Sequence, residues 1–169
     1  ALSLYGVFTG MALPCILFPS TVTSSASVIL MPSVAEMQAL GHHKKIRYIT
    51  RTTCTACILL GSLCTTVFYF GGNFAGTILF HNTDAGLYIR TLSFICPFLY
   101  TNIALTSILN GLGKTGTTLV HSVLGILLRI SFVIFAIPVL GIRGYLYGLL
   151  LSEILLSLLH IYALYHMEF

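Results

Sequence analysis

Charge is scarce in this sequence: only 7% of its 169 residues are Asp, Glu, Lys or Arg, and just four of them are acids. A soluble domain carries about 25% charged residues, so a water-facing globular surface cannot be assembled from this composition. Cysteine is sparse too, five residues scattered along the chain, which excludes a disulfide-built secreted scaffold. Disorder needs low hydrophobicity with high charge, whereas 57% of these residues are hydrophobic. What remains is a chain solvated by lipid.

A spanning helix takes roughly 20 to 25 residues, and the sequence has apolar stretches of about that length or more over residues 2–40, 49–70, 88–109, 119–140 and 145–165. Strict alternation, the mark of a spanning strand, is missing: residues 126–140 and 146–159 are apolar almost throughout. In lipid each run must satisfy its own backbone and so becomes a helix. The fold class expected is therefore all-α, a single polytopic membrane bundle over residues 1–169 with about five transmembrane helices. Residues 1–10 lack a basic n-region and a cleavage pattern, so no secretory leader is read there. An odd number of spans puts the two ends on opposite sides of the bilayer, and the chain reads as a piece of a longer polytopic protein.

Lys44, Lys45, Arg47 and Arg51, with His42 and His43, follow the first span, and Lys114 follows the third. Across the bilayer from these lie only Arg90 and Arg143. The positive-inside rule then places residues 41–51 and 111–117 in the cytoplasm, the beginning of the chain outside and its end inside. The net charge of +4 is accounted for by this asymmetry, and no basic face is periodic enough for nucleic acid.

The first segment is too long for one straight span. At 1.5 Å per residue it would reach roughly 58 Å, so Pro14, Pro19 and Pro32 must bend or break it. A run of hydroxyls, Ser20, Thr21, Thr23, Ser24, Ser25 and Ser27, follows the second proline. Such groups bond freed carbonyls or a neighbouring helix, and they serve either as packing contacts or as the wall of a polar cavity; both readings turn the stripe inward. Residues 71–86 read as an outer connection with a short amphipathic piece over 74–80.

Charges inside spans need a partner or water. Arg129 lies near the middle of the fourth span and Glu153 in the outer half of the fifth. Counted from the tight turn at 141–144, their depths differ by only about 5 Å, so they are expected to lie near one another, as a structural pair or as a site for an anionic headgroup or ion. Asn102 and His121 are further polar groups in spans and His160 faces the inner end of the last, and a lone buried His reads as hydrogen-bonded packing or a proton relay. Cys54 and Cys57 form a C-x-x-C without a ligand-rich partner and read as small packing residues. Neither a metal site nor a cofactor is expected. No HExxH, GxSxG or carboxylate pair is present, so no enzyme is expected, and no nucleotide motif is found.

Three runs of the first segment carry a resemblance: Leu4-Tyr5-Gly6-Val7-Phe8-Thr9-Gly10-Met11-Ala12-Leu13-Pro14, Phe18-Pro19-Ser20-Thr21-Val22-Thr23-Ser24-Ser25 and Met31-Pro32-Ser33-Val34-Ala35-Glu36. Together with Ile108-Leu109-Asn110-Gly111-Leu112-Gly113-Lys114 and Gly141-Ile142-Arg143-Gly144-Tyr145, they resemble the stage V sporulation protein B group of polysaccharide transporters. That group lies in the multidrug/oligosaccharidyl-lipid/polysaccharide exporter superfamily. The resemblance implies two pseudo-symmetric lobes around a cavity that opens alternately to each side, with this chain as spans eight to twelve in the C-terminal lobe. It implies flipping of lipid-linked polysaccharide or peptidoglycan precursors, with the bilayer, the N-terminal lobe and the lipid-linked sugar as partners.

One departure stands out. Lipid II flippases of the superfamily hold the pyrophosphate with basic cavity residues, whereas residues 1–41 here contain none, leaving Arg129 and Arg90 as basic candidates. The cavity residues expected are Ser20, Thr21, Thr23, Ser24, Ser27, Asn102, Arg129 and Glu153. Two other functions stay open: a cation-coupled multidrug exporter, for which Glu153 is the one intramembrane acid, and a non-transporting membrane scaffold for cell-wall synthesis.

Overall fold

The computed structural model describes residues 6–78, 81 and 83–166. Residues 2–5 of the first expected span, Phe80 of the outer connection, and Asn82 and Glu168 lie outside them. Among the described residues all regular structure is helical. Helix α1 is Phe8–Leu17, which opens as a π turn over Phe8–Ala12, and α2 is Ser20–Ala39. Helix α3 is His43–Ile78. Helix α4 is built from Thr83–Leu92, a 3-10 turn over Ser93–Ile95, and Cys96–Gly111. Helix α5 is Thr115–Phe135, α6 the single turn Ile137–Leu140, and α7 is Ile142–His166. Four helices are long and apolar enough to cross a membrane, or five if the bent pair α1 and α2 is one span.

The bend between α1 and α2 is 53°. Pro19 has no N–H to give, and the break exposes carbonyls that a lipid environment cannot satisfy. Hydroxyls take them. Tyr100 of α4 donates to the Ile16 carbonyl at 3.0 Å, Ser20 to Leu17 at 2.6 Å, and Thr21 to Phe18 at 2.7 Å.

Helix α3 has 36 residues, about 54 Å of length, and so overshoots the apolar stretch 49–70 at both ends. Its start carries the basic cluster, and its end absorbs the segment 74–78 that hydropathy alone assigns to a connection. Helix α5 stops at Phe135, three residues before Pro138, where the expected fourth span continues to 140. The turns after α2 and α4 are glycine caps. Gly41 and Gly113 have φ of +70° and +72°, and each is followed by a residue whose N–H reaches back to the last turn, His42 to Met37 and Lys114 to Leu109, both at 2.9 Å. This is the Schellman arrangement.

Helix α4 is the hub, with 61% of its apolar window buried against 11% in α3 and α5. It meets α3 on one side, α2 on another and α7 on a third. The α3 contact is backbone to backbone: a Cβ on Gly61 would overlap Pro97 Cα. Pro97 also denies the Ser93 carbonyl its α-helical donor, leaving it the 3-10 bond from Cys96 N–H, and Thr65 of α3 donates to that oxygen at 2.8 Å. Thr65→Val is therefore expected to lower stability by about 1 kcal/mol. Thr66→Val, which loses only a bond to Ser62 of its own helix, should cost less in the same thermal melts.

Helices α5 and α7 form an antiparallel hairpin seamed by small residues. A Cβ on Gly144 would lie 2.7 Å from the Ala136 carbonyl, one on Gly148 would lie 2.5 Å from Phe132 Cβ, and one on Gly125 would lie 3.7 Å from Leu156. Ser152 continues the series against Arg129. Small residues every fourth position let helix backbones approach closely where there is no water to drive them together.

Candidate functional site

The α5–α7 seam fixes where the charges meet. Gly144 opposes Ala136 and Gly148 opposes Phe132, so continuing inward by one turn sets Ser152 and Glu153 beside Arg129. Arg129 Nη2 donates to Glu153 Oε1 at 2.9 Å, the proximity expected from depth alone. Arg129 also donates to Ser152 Oγ, from Nε at 3.2 Å and Nη2 at 3.1 Å. From α4, Asn102 Nδ2 donates to Glu153 Oε2 at 2.8 Å and to the Glu153 main-chain carbonyl at 3.0 Å. Three helices thus converge on one carboxylate.

Burial is unequal across the pair: 9% of the Glu153 side chain is exposed and 36% of Arg129. Each carboxylate oxygen accepts one hydrogen bond, and with 9% of its side chain exposed Glu153 faces these two donors more than open space. Arg129 differs, since its Nη1 group makes no hydrogen bond among the described residues, and a third of the side chain is open at the bundle surface. Chemically the site is an anchored guanidinium with one edge free, suited to an anion.

The hydroxyl run divides by helical period. Ser20, Thr23 and Ser27 are buried, whereas Thr21, Ser24 and Ser25 are exposed. At 100° per residue, consecutive positions cannot share one face, so only half of the stripe turns inward. Thr23 and Ser27 border an apolar cleft of about 280 Å³ between α2 and α3, floored by Ala104 of α4. Asn102, two residues from Ala104, points the other way, to α7. The hydroxyls and the Arg129 network therefore occupy different faces of α4, and the described residues do not bring them into one cavity.

Farther along the seam, His121 and His160 meet with ring centroids 5.1 Å apart and planes tilted by 51°. His160 is fully buried, and neither of its ring nitrogens has a hydrogen-bond partner. Their pairing escaped the reading of the sequence. The signal was available in the four-residue spacing of Gly144, Gly148 and Ser152, which sets a register that also aligns 121 with 160.

No protein-family model matches the chain, and no solved structure matches it. A curated relative does. Over 158 residues, 92% of its own length, the chain is 24% identical to a Bacillus subtilis (strain 168) protein, and it spans 30% of that protein's length. The relative is stage V sporulation protein B, and the chain resembles it along nearly its whole length.

Proposed function

We propose that this chain belongs to the C-terminal lobe of a membrane carrier that moves lipid-linked sugar precursors from the cytoplasmic to the outer leaflet by alternating access. The observation that carries the reading is the Arg129–Glu153–Asn102 junction. A charged network at bilayer depth is costly, and this one keeps a guanidinium edge open where an anionic headgroup could pass. The break at Pro19, with its carbonyls held by side chains, supplies a place for local bending. The exposed hydroxyls Thr21, Ser24 and Ser25, beside exposed Val22 and Ile29, would face the other lobe across the cavity. The bias of Lys and Arg toward the ends of α2 and α4 supports an orientation with the beginning of the chain outside and its end in the cytoplasm. Without a nucleotide motif, the energy would come from an ion or potential gradient or from downstream use of the product.

A cation-coupled drug exporter would need an accessible acid, and Glu153 is only 9% exposed and engaged by Arg129 and Asn102, which favours the lipid-linked substrate. The test is leaflet exchange of a labelled lipid-linked sugar by the full-length protein in vesicles. Arg129→Glu and Glu153→Arg are each expected to lower exchange at least tenfold, and the double swap to recover much of it. Drug efflux in place of lipid exchange would transfer the reading to the exporter. If neither variant alters activity while substitutions on lipid-facing residues do, a scaffold role is favoured.

A further inference from the structure

At the opposite end of the bundle from the glycine caps, α3, α4 and α7 border an open groove of about 410 Å³. Its walls include Tyr69 of α3, Arg90, Thr91 and Phe94 of α4, and Tyr147 and Leu150 of α7. Arg90 folds over Tyr69: its guanidinium carbon lies 4.2 Å from the ring centroid, and Nη2 donates to the Tyr69 hydroxyl at 2.6 Å. Phe94 meets the same ring edge-on at 5.7 Å, which fixes the platform. A lone arginine at a membrane interface extends toward water. This one is bent back over an apolar cleft, without an acidic partner among the described residues.

The lining is chemically mixed: the Arg90 cation and Tyr147 stand among the apolar side chains of Phe94, Leu146 and Leu150. An arginine held over an aromatic ring keeps the N–H groups that its tyrosine partner does not take in a fork that matches phosphate oxygens. The adjacent apolar wall suits a hydrocarbon chain. We propose that this pocket binds the phosphate headgroup of an amphiphilic lipid, with the chain lying along Phe94 and Leu150. The phosphate chemistry is common to a polyprenyl diphosphate and to an anionic phospholipid. The site does not depend on the transport reading, because retention of a lipid is measured without any movement between leaflets.

The experiment is native mass spectrometry of the full-length protein carrying undecaprenyl pyrophosphate, phosphatidylglycerol or, as the phosphate-free control, dioleoylglycerol. The protein is expected to retain the phosphate-bearing lipids in preference to dioleoylglycerol. Arg90→Gln should lower that retention about tenfold, and Arg143→Gln, which removes an equal charge from an exposed position nearby, should leave it unchanged. Loss of undecaprenyl pyrophosphate alone identifies a substrate subsite, and loss of both lipids identifies a general phospholipid site; each supports the proposal. Leu150→Trp, which narrows the apolar side without touching the cation, should also lower retention and serves if Arg90→Gln melts early. Equal retention by the protein and both pocket variants overturns the proposal, as does an equal fall in Arg143→Gln. Failure of lipid exchange with Arg90-dependent retention intact would sink the carrier reading and leave this one standing.

Discussion

Replacing Arg129 with methionine is expected to destabilise the protein by about 3 kcal/mol, the low end of what breaking a buried ion pair costs. The low end applies because Arg129 is 36% exposed while Glu153 is 9% exposed, so the penalty is mostly that of a carboxylate left without its cation. Asn102 still donates to Oε2, but one amide does not neutralise a charge among apolar helices. The double variant Arg129→Met with Glu153→Met should recover most of the loss, since an apolar pair of similar volume removes the desolvation penalty together with the attraction. Thermal melts of the three variants in one detergent measure this. A double variant as unstable as the single one would mean that the junction is held by shape and not by charge. In the transport assay the same double variant is expected to stay inactive, which separates the pair's role in stability from its role in passage.

A methyl group at Gly61 should cost about 2 to 3 kcal/mol, although alanine is the better helix former. The added carbon meets the Pro97 backbone, which cannot turn aside as a side chain would, so α3 and α4 must separate along the most buried helix of the fold. Separation also lengthens the Thr65 bond to the Ser93 carbonyl, the one hydrogen bond that oxygen accepts from another helix among the described residues. Gly71→Ala is the counterpart: nothing lies within 4 Å of that position, and the change should raise stability by about 0.5 to 1 kcal/mol. Opposite signs for two Gly→Ala changes in one helix are the result to look for in denaturation of the full-length protein. Equal effects would show that helix propensity, and not the close approach to Pro97, governs both sites.

Composition alone made the helical membrane class legible, because 7% charge leaves no way to build a wetted surface. Depth counted from the turn at Gly141 was enough to bring Arg129 to Glu153, because a tight hairpin conserves distance from its tip. The ends of α3 were not legible. Lys44, Lys45 and Arg47 are good helix formers that hydropathy reads as loop, so the helix runs on beyond the lipid. The hydroxyl run was misjudged as one stripe because six near-consecutive residues cannot share a face, and their period assigns Ser20, Thr23 and Ser27 to the inside. Arg90 was visible as a charge, but its fold over Tyr69 depends on α3 and α4 crossing at Gly72 and Gly86, where a Cβ on Gly86 would lie 3.0 Å from the Gly72 carbonyl.

The zipper of small residues between α5 and α7 has a dynamic consequence. Sliding one helix along the other by a single turn, about 5.4 Å, would keep small groups facing large ones but would strand Arg129 opposite Gly148 or Leu156 and leave Glu153 without its cation, with only the Asn102 amide for company. Electrostatics therefore forbids the ratchet that the steric pattern by itself would permit. Any rearrangement of this lobe must carry the two helices together, as one stiff lever.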